Sequence, residues 1–177
     1  MSSRQPAPPA GHFAYVPLAA RYDGTAARLD NGDFEQGAGG WEEYSSHAVP
    51  VITDDFTRVE LTPHSGQWAA WLGGLDDETS WIQQRIVVPD PAVPLVYWEW
   101  IASAEESCAY DSAAISIDGA VLQQFGLCSA SDTAWVRRDI DLAAYAGRTV
   151  TLRITVVTDT SVNSNYFVDD LSFGPGQ

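Results

Sequence analysis

The chain has no lysine: all nine of its basic residues are arginine, set against 24 aspartates and glutamates. Without lysine there is no Schiff-base lysine, no phosphate-loop lysine and no Lys–Asn isopeptide cross-link. The formal net charge of −15 argues against nucleic acid, whose phosphates demand a basic face, and against an anionic membrane surface. It suits cations and neutral or basic partners. No apolar run reaches the length of a membrane span. Residues 1–4 lead into Pro and Ala rather than the apolar core of a signal peptide, as expected of a mature segment behind a new start Met. The three histidines, His12, His47 and His64, are dispersed. With no His-Glu-x-x-His or His-x-His, catalytic zinc has no support. No Cys-x-x-Cys pair suggests a zinc knuckle or a thioredoxin-type site. No segment sustains a helical period.

What is present is globular. The chain has 177 residues, 45% hydrophobic and 19% charged, enough for one domain with a real core. Residues 1–28 differ from the rest: a Pro/Ala-rich linker followed by a short apolar segment over 12–18. That segment either pairs with an edge strand or is a disordered tail. Residues 29–177 are dominated by strand signals. The cleanest is 149–157, with Val150, Leu152, Ile154 and Val156 on one face and Thr149, Thr151, Arg153 and Thr155 on the other. Others cover 57–61, 80–88, 95–101, 113–117, 121–125, 135–142 and 166–173. A helical turn is expected over 142–146, stopped by Gly147. Many short strands separated by turn signals predict an all-β fold, an antiparallel two-sheet β-sandwich of the jelly-roll kind.

Asp118-Gly119 is the strongest hairpin signal. A two-residue turn there pairs positions that sum to about 237 by two-residue hairpin geometry, so Cys108 falls opposite position 129. A single bulge would bring it to Cys128. A Cys108–Cys128 disulfide closing that loop would contribute roughly 3 kcal/mol and implies an oxidising compartment, hence secretion. Two free buried thiols are the alternative.

Acidic motifs stand at both ends of the periodic region: Asn31-Gly32-Asp33-Phe34-Glu35 and Phe167-Val168-Asp169-Asp170-Leu171-Ser172-Phe173. Carboxylates at a core edge need a partner, and oxygen-only ligands select Ca²⁺. Strand alternation places Phe167, Asp169 and Leu171 inward and turns Asp170 away. Solvated turn chemistry is the alternative. Tyr97-Trp98-Glu99-Trp100 offers either Tyr97 with Glu99, or Trp98 with Trp100, to a sugar; whichever pair faces inward is core. Trp81 and Trp71 share that ambiguity, while Trp68 and Trp135 read as core. Trp41 and Tyr44 follow the first strand, where a ligand edge often forms. No strand carries two outward acids at glycosidase spacing, so the expectation is a protein that is not an enzyme.

Three segments together, 31–41, 64–74 and 141–152 continued to Phe167-Val168-Asp169-Asp170, resemble the jelly-roll accessory domains of secreted bacterial proteins. That group includes galactose-binding-like carbohydrate-binding modules and the MAM-like domains of extracellular peptidases. The resemblance covers residues 29–174. It implies one structural calcium, with a side-chain oxygen from Glu35, an oxygen from Asp33, backbone carbonyls of His64 and Gln67, and the carboxylate of Asp169. It also implies a non-catalytic extracellular module that binds a carbohydrate or an extracellular protein, with a larger parent exoprotein. A structural or assembly unit using its N-terminal segment for edge pairing is the alternative, and an acidic-site β-sandwich hydrolase the third.

Overall fold

The computed structural model describes residues 26–128 and 134–174. The linker and its apolar segment over 12–18 fall outside the described residues. Ten strands form two antiparallel five-stranded sheets, as the turn spacing predicts. They are β1 (Glu42–Ser45), β2 (Ile52–Thr53), β3 (Ala69–Gly73), β4 (Thr79–Val87), β5 (Leu95–Ala102), β6 (Ser112–Ile117), β7 (Ala120–Gly126), β8 (Val136–Ile140), β9 (Thr149–Val157) and β10 (Asn165–Phe173). One sheet runs β1-β4-β9-β6-β7 and the other β2-β3-β10-β5-β8. The expected turn forms as a 3-10 helix at Ala143–Tyr145.

Alternation builds the core. Val150, Leu152, Ile154 and Val156 of β9 are buried against Ile82 and Ile86 of β4 and Ile115 and Ile117 of β6, and Leu95, Tyr97, Tyr166 and Val168 of the facing sheet close the same cluster. Burying each such side chain stabilises by about 1.5–3 kcal/mol.

The Asp118-Gly119 turn has positive φ at both residues, 50° and 82°, as a type I′ hairpin requires. Ile117 pairs with Ala120, and the register shifts between Ile115 and Ser116. This bulge shifts the register in the opposite sense to the one the cysteine spacing calls for, so the closed Cys108–Cys128 disulfide is brought together by the connections beyond Ser112 and Gly126 rather than by the ladder itself.

The expected inward facing of Phe167 is corrected. Tyr166 and Val168 face the main core, whereas Phe167 packs outside its sheet with Phe56 and Ala69. The register of β10 on β5 shifts between Asp169 and Ser172, and Asp170 adopts φ 49°. A bulge reverses the facing of everything beyond it, so Leu171 reaches the core although Phe167, two pairs earlier, does not.

In β5, Tyr97 and Glu99 are the inward pair. The Glu99 carboxylate, 1% exposed, accepts from Tyr166 Oη at 2.7 Å, Tyr97 Oη at 3.4 Å and Arg138 Nε at 2.6 Å. Trp98 and Trp100 face out but are covered. Trp98 stacks on His64 at 4.0 Å between centroids, and Trp100 meets Trp135 edge-on. The Trp135 indole N–H donates to the Thr62 carbonyl. The 54–64 segment, through Phe56, Val59 and Leu61, thus lays a second small apolar cluster over this sheet.

Gly32 fixes where the opening turn meets the last strand. Its carbonyl accepts from Leu171 N at 2.8 Å, and a Cβ there would collide with the Leu171 carbonyl oxygen. Gly32→Ala is expected to cost about 2 kcal/mol through forced displacement, lowering the melting temperature by roughly 4–8 °C in a thermal scan.

Candidate functional site

Among the described residues, the 54–64 segment covers one sheet and the outer face of the other is the open one. Ile82 and Ile154 point inward, so their neighbours Trp81, Gln83, Arg153 and Thr155 point out. Register then aligns them in two rows: Tyr44 beside Trp81 and Thr155, and Glu42 beside Gln83 and Arg153. Tyr44, 45% exposed, stacks on Trp81 at 5.5 Å and 17°, while the Arg153 guanidinium carbon lies 4.2 Å from a Trp81 ring centroid. The second row is one hydrogen-bonded chain. Arg153 Nη2 and Nε donate to Gln83 Oε1 at 2.6 and 2.9 Å, and Gln83 Nε2 donates to Glu42 Oε2 at 2.7 Å. Beside it lies a concavity of about 520 Å³, lined by Gln83, Arg153, Ser116, Thr151 and Asp118 among others. An apolar ring next to fixed donors and acceptors is the chemistry that receives a pyranose: carbon–hydrogen face on the ring, hydroxyls on the polar groups.

Of the six aromatic and acidic candidates from the sequence, only Tyr44 stands on this face. Trp41 is 6% exposed, packs on Phe34 and donates its indole N–H to the Asn31 carbonyl. Tyr97 and Glu99 are each 1% exposed. Burial removes all three from contact with a ligand, and Trp98 and Trp100 lie under the 54–64 segment. Glu42, Gln83 and Arg153 were not singled out. Alternation marks them as outward, but nothing local says which outward face stays open.

The acidic motifs do meet. Glu35 Oε1 accepts the N–H groups of Gln67 and Trp68 at 2.8 Å each, Asp169 Oδ2 accepts Ser65 N at 3.1 Å, and Asp33 Oδ1 accepts Glu35 N at 3.4 Å. The 64–67 turn therefore sits between the opening and closing segments. A Cβ at Gly66 would fall on the Glu35 carboxyl group, so only glycine admits this approach. His64 contributes its ring as well: Nδ1 lies 2.5 Å from Asp170 Oδ2. Asp170 does not turn away as alternation predicts; with its φ of 49° it reaches back to the same turn, where Ser65 Oγ donates to it at 2.8 Å.

Asp33 and Glu35 are exposed, whereas Asp169 is fully buried. Burial pushes the Asp169 pKa up to about 7; the Ser65 N–H pulls the other way, and the neighbouring Asp170 charge adds to the rise. The two Asp169 oxygens accept the N–H groups of Ser65 and Asp170, and none of the ion pairs among the described residues includes this carboxylate; a buried carboxylate without a counter-charge fits a hard cation. Among the described residues, Asp33, Glu35 and Asp169 do not form a group with all oxygens within 4.8 Å. Ligand oxygens on one Ca²⁺ lie no more than about 5 Å apart, so this geometry offers an ion at most two of these carboxylates, with turn carbonyls to complete the shell.

No protein-family model and no curated protein matches the sequence. The fold, however, recurs in solved structures. TmCBM61, solved in complex with β-1,4-galactotriose, aligns with a TM-score of 0.56 at 15% identity, over 85% of this chain and 99% of that one. The K2 cleaved adhesin domain of Lys-gingipain aligns at 0.58 and 14%, over 84% and 99%. The K3 domain from Porphyromonas gingivalis w83 aligns at 0.57 and 12%, over 82% and 97%. The chain is an antiparallel two-sheet β-sandwich with the architecture of carbohydrate-binding modules and adhesin domains.

Proposed function

We propose that this protein is a non-catalytic, secreted carbohydrate-binding module that receives a glycan on the outer face of the β1-β4-β9-β6-β7 sheet. The observation that carries the reading is the Tyr44–Trp81 stack set beside the Glu42–Gln83–Arg153 chain on a sheet face that no other described segment covers. Tyr44 supplies the ring against a sugar face. Gln83, held from both sides, and Arg153 supply oriented donors, so little side-chain entropy is lost on binding. The shared architecture and the disulfide support an accessory role in an extracellular protein.

Trp81 fluorescence reports directly on this face. Titration with a panel of oligosaccharides, including β-1,4-galactans, is expected to shift the emission for at least one glycan. Tyr44→Ala is expected to weaken that binding roughly tenfold, the value of one aromatic contact. A glycan array on which nothing binds would remove the proposal.

Calcium in the seam of Asp33, Glu35, His64, Gln67 and Asp169 is the second part of the reading, with a structural role: it would neutralise Asp169 and tie the 31–35 turn to β10. Chelation with EDTA is expected to lower the melting temperature by roughly 5–10 °C, as follows from losing about 2.7 kcal/mol of ligand stabilisation at a hundredfold excess over Kd. An unchanged melting curve would sink the calcium.

A further inference from the structure

We propose that Glu105, Asp111 and Asp159 form a separate divalent-cation site, suited to calcium, at the pole of the sandwich where β5 and β9 end and β6 and β10 begin. The three residues come from three different connections: Glu105 follows β5, Asp111 immediately precedes β6, and Asp159 follows β9. Each turns a carboxylate oxygen to one point, all within 4.8 Å of one another. Among the described residues none of the three makes an ion pair.

The independent sign of a missing ligand is Glu105. Its side chain is 5% exposed, and its buried Oε1 has no hydrogen-bond partner. A buried acceptor left unmatched is rare in a folded protein and calls for a partner. Its two companions are held in place. Asp111 is fully buried; its Oδ1 accepts Asp159 N and its Oδ2 accepts Ser164 N, both at 2.8 Å. Asp159 Oδ1 accepts Ser161 N at 2.9 Å. A carboxylate oxygen that accepts one N–H keeps a second lone pair, so these bonds orient the oxygens without consuming them.

The surroundings are stiff. The Cys108–Cys128 disulfide pins the connection that carries Glu105 and Asp111. Ser103 Oγ and Ser164 Oγ lie 2.8 Å apart and both reach the Leu127 carbonyl. An oxygen-only, three-carboxylate set selects a hard ion; zinc and copper sites would want imidazole or thiolate. Oxygens bound at about 2.3–2.6 Å to one Ca²⁺ span up to roughly 5 Å, which matches the observed spacing. The site is distinct from the Asp169 seam: Ser164 and Asp169 are five residues apart on an extended strand, about 17 Å.

The test uses the full chain, calcium itself as probe, and two isosteric variants. Isothermal titration with Ca²⁺ is expected to show that Glu105→Gln loses one bound ion relative to wild type, or weakens it at least roughly tenfold, while Glu35→Gln in the seam leaves that ion in place. Thermal melting supplies the second readout. In chelator, Glu105→Gln melts at or above wild type, because it removes a buried charge; in saturating calcium, wild type rises above the variant. Asp159→Asn is expected to repeat the pattern. The proposal is overturned if Glu105→Gln binds calcium as wild type does, if calcium fails to raise the melting temperature of Glu35→Gln, or if Glu105→Gln melts below wild type in chelator by the same margin as in calcium. A Glu35→Gln variant with the full wild-type stoichiometry overturns the seam alone.

Discussion

In chelator, the protein is expected to lose stability as the pH rises from about 4 to about 8, and calcium is expected to abolish most of that loss. The cause is Asp169. Its carboxyl is held up to about 7 in the folded chain against an ordinary 3.8. Between those values the folded state binds a proton that the unfolded chain has released. Stability from this group is therefore fully present below 3.8 and drains away as the pH climbs through 7. At 1.36 kcal/mol per unit, the shift is worth about 4 kcal/mol, or roughly 8–16 °C in the melting temperature of a chain this size. Burial raises the pKa of Glu78 and of Glu105 as well, so both slopes have the same sign. Asp169→Asn isolates the effect: in chelator the variant should melt with a flatter dependence on pH than wild type. Parallel profiles for the two would show that Asp169 does not carry the slope. Calcium reverses the preference, because a cation favours the ionised carboxylate.

A second large effect is expected inside the sandwich. Glu99→Leu should destabilise the fold by about 3–5 kcal/mol, the cost of breaking a buried charged cluster by removing one member. Glu99 is the common acceptor of Tyr97, Tyr166 and Arg138. Without it, two buried phenols lose their acceptor, and Arg138 of the edge strand β8 loses its tie to β5. Urea denaturation should show a lower midpoint with an unchanged slope. Glycan binding on the opposite sheet should survive in the fraction that stays folded. A loss below 1 kcal/mol would mean that leucine repacks the space and that the cluster is dispensable. The same residue fixes register. A slip of β5 by one position would drive Trp98 and Trp100 inward and Glu99 out, exchanging a matched polar centre for two overlarge rings.

Much of this fold is legible residue by residue. The 149–157 alternation, the Asp118-Gly119 turn and the stop at Gly147 all follow from local chemistry; the disulfide forms as expected, but the bulge shifts the register away from it, so the connections beyond the hairpin bring the two cysteines together. The meeting of 31–35, 64–67 and 169–170 is legible from the acidic motifs and the resemblance they support. What escapes is decided by tertiary cover. Tyr97-Trp98-Glu99-Trp100 shows two faces, but only the 54–64 segment folding back, with Phe56, Val59 and Leu61 in the cluster with Trp100 and His64 stacked on Trp98, decides that neither face is free. Trp41 is buried because Phe34 and the Asn31 carbonyl wait for it, a contact invisible from its loop position. The bulge after Asp169 reverses the facing of Leu171, and no residue there announces it. The Glu105–Asp111–Asp159 cluster escapes as well, because Asp159 is 48 residues from Asp111 along the chain.

Both ends of the described chain leave from one place. Arg28 exchanges backbone hydrogen bonds with Val87 at the end of β4, and Gly174 N donates to the Pro94 carbonyl at the start of β5. Trp81 lies six residues back along β4, about 20 Å away. The described chain therefore enters and leaves at the Asp118 end of the concavity, while Tyr44 stands toward its other end.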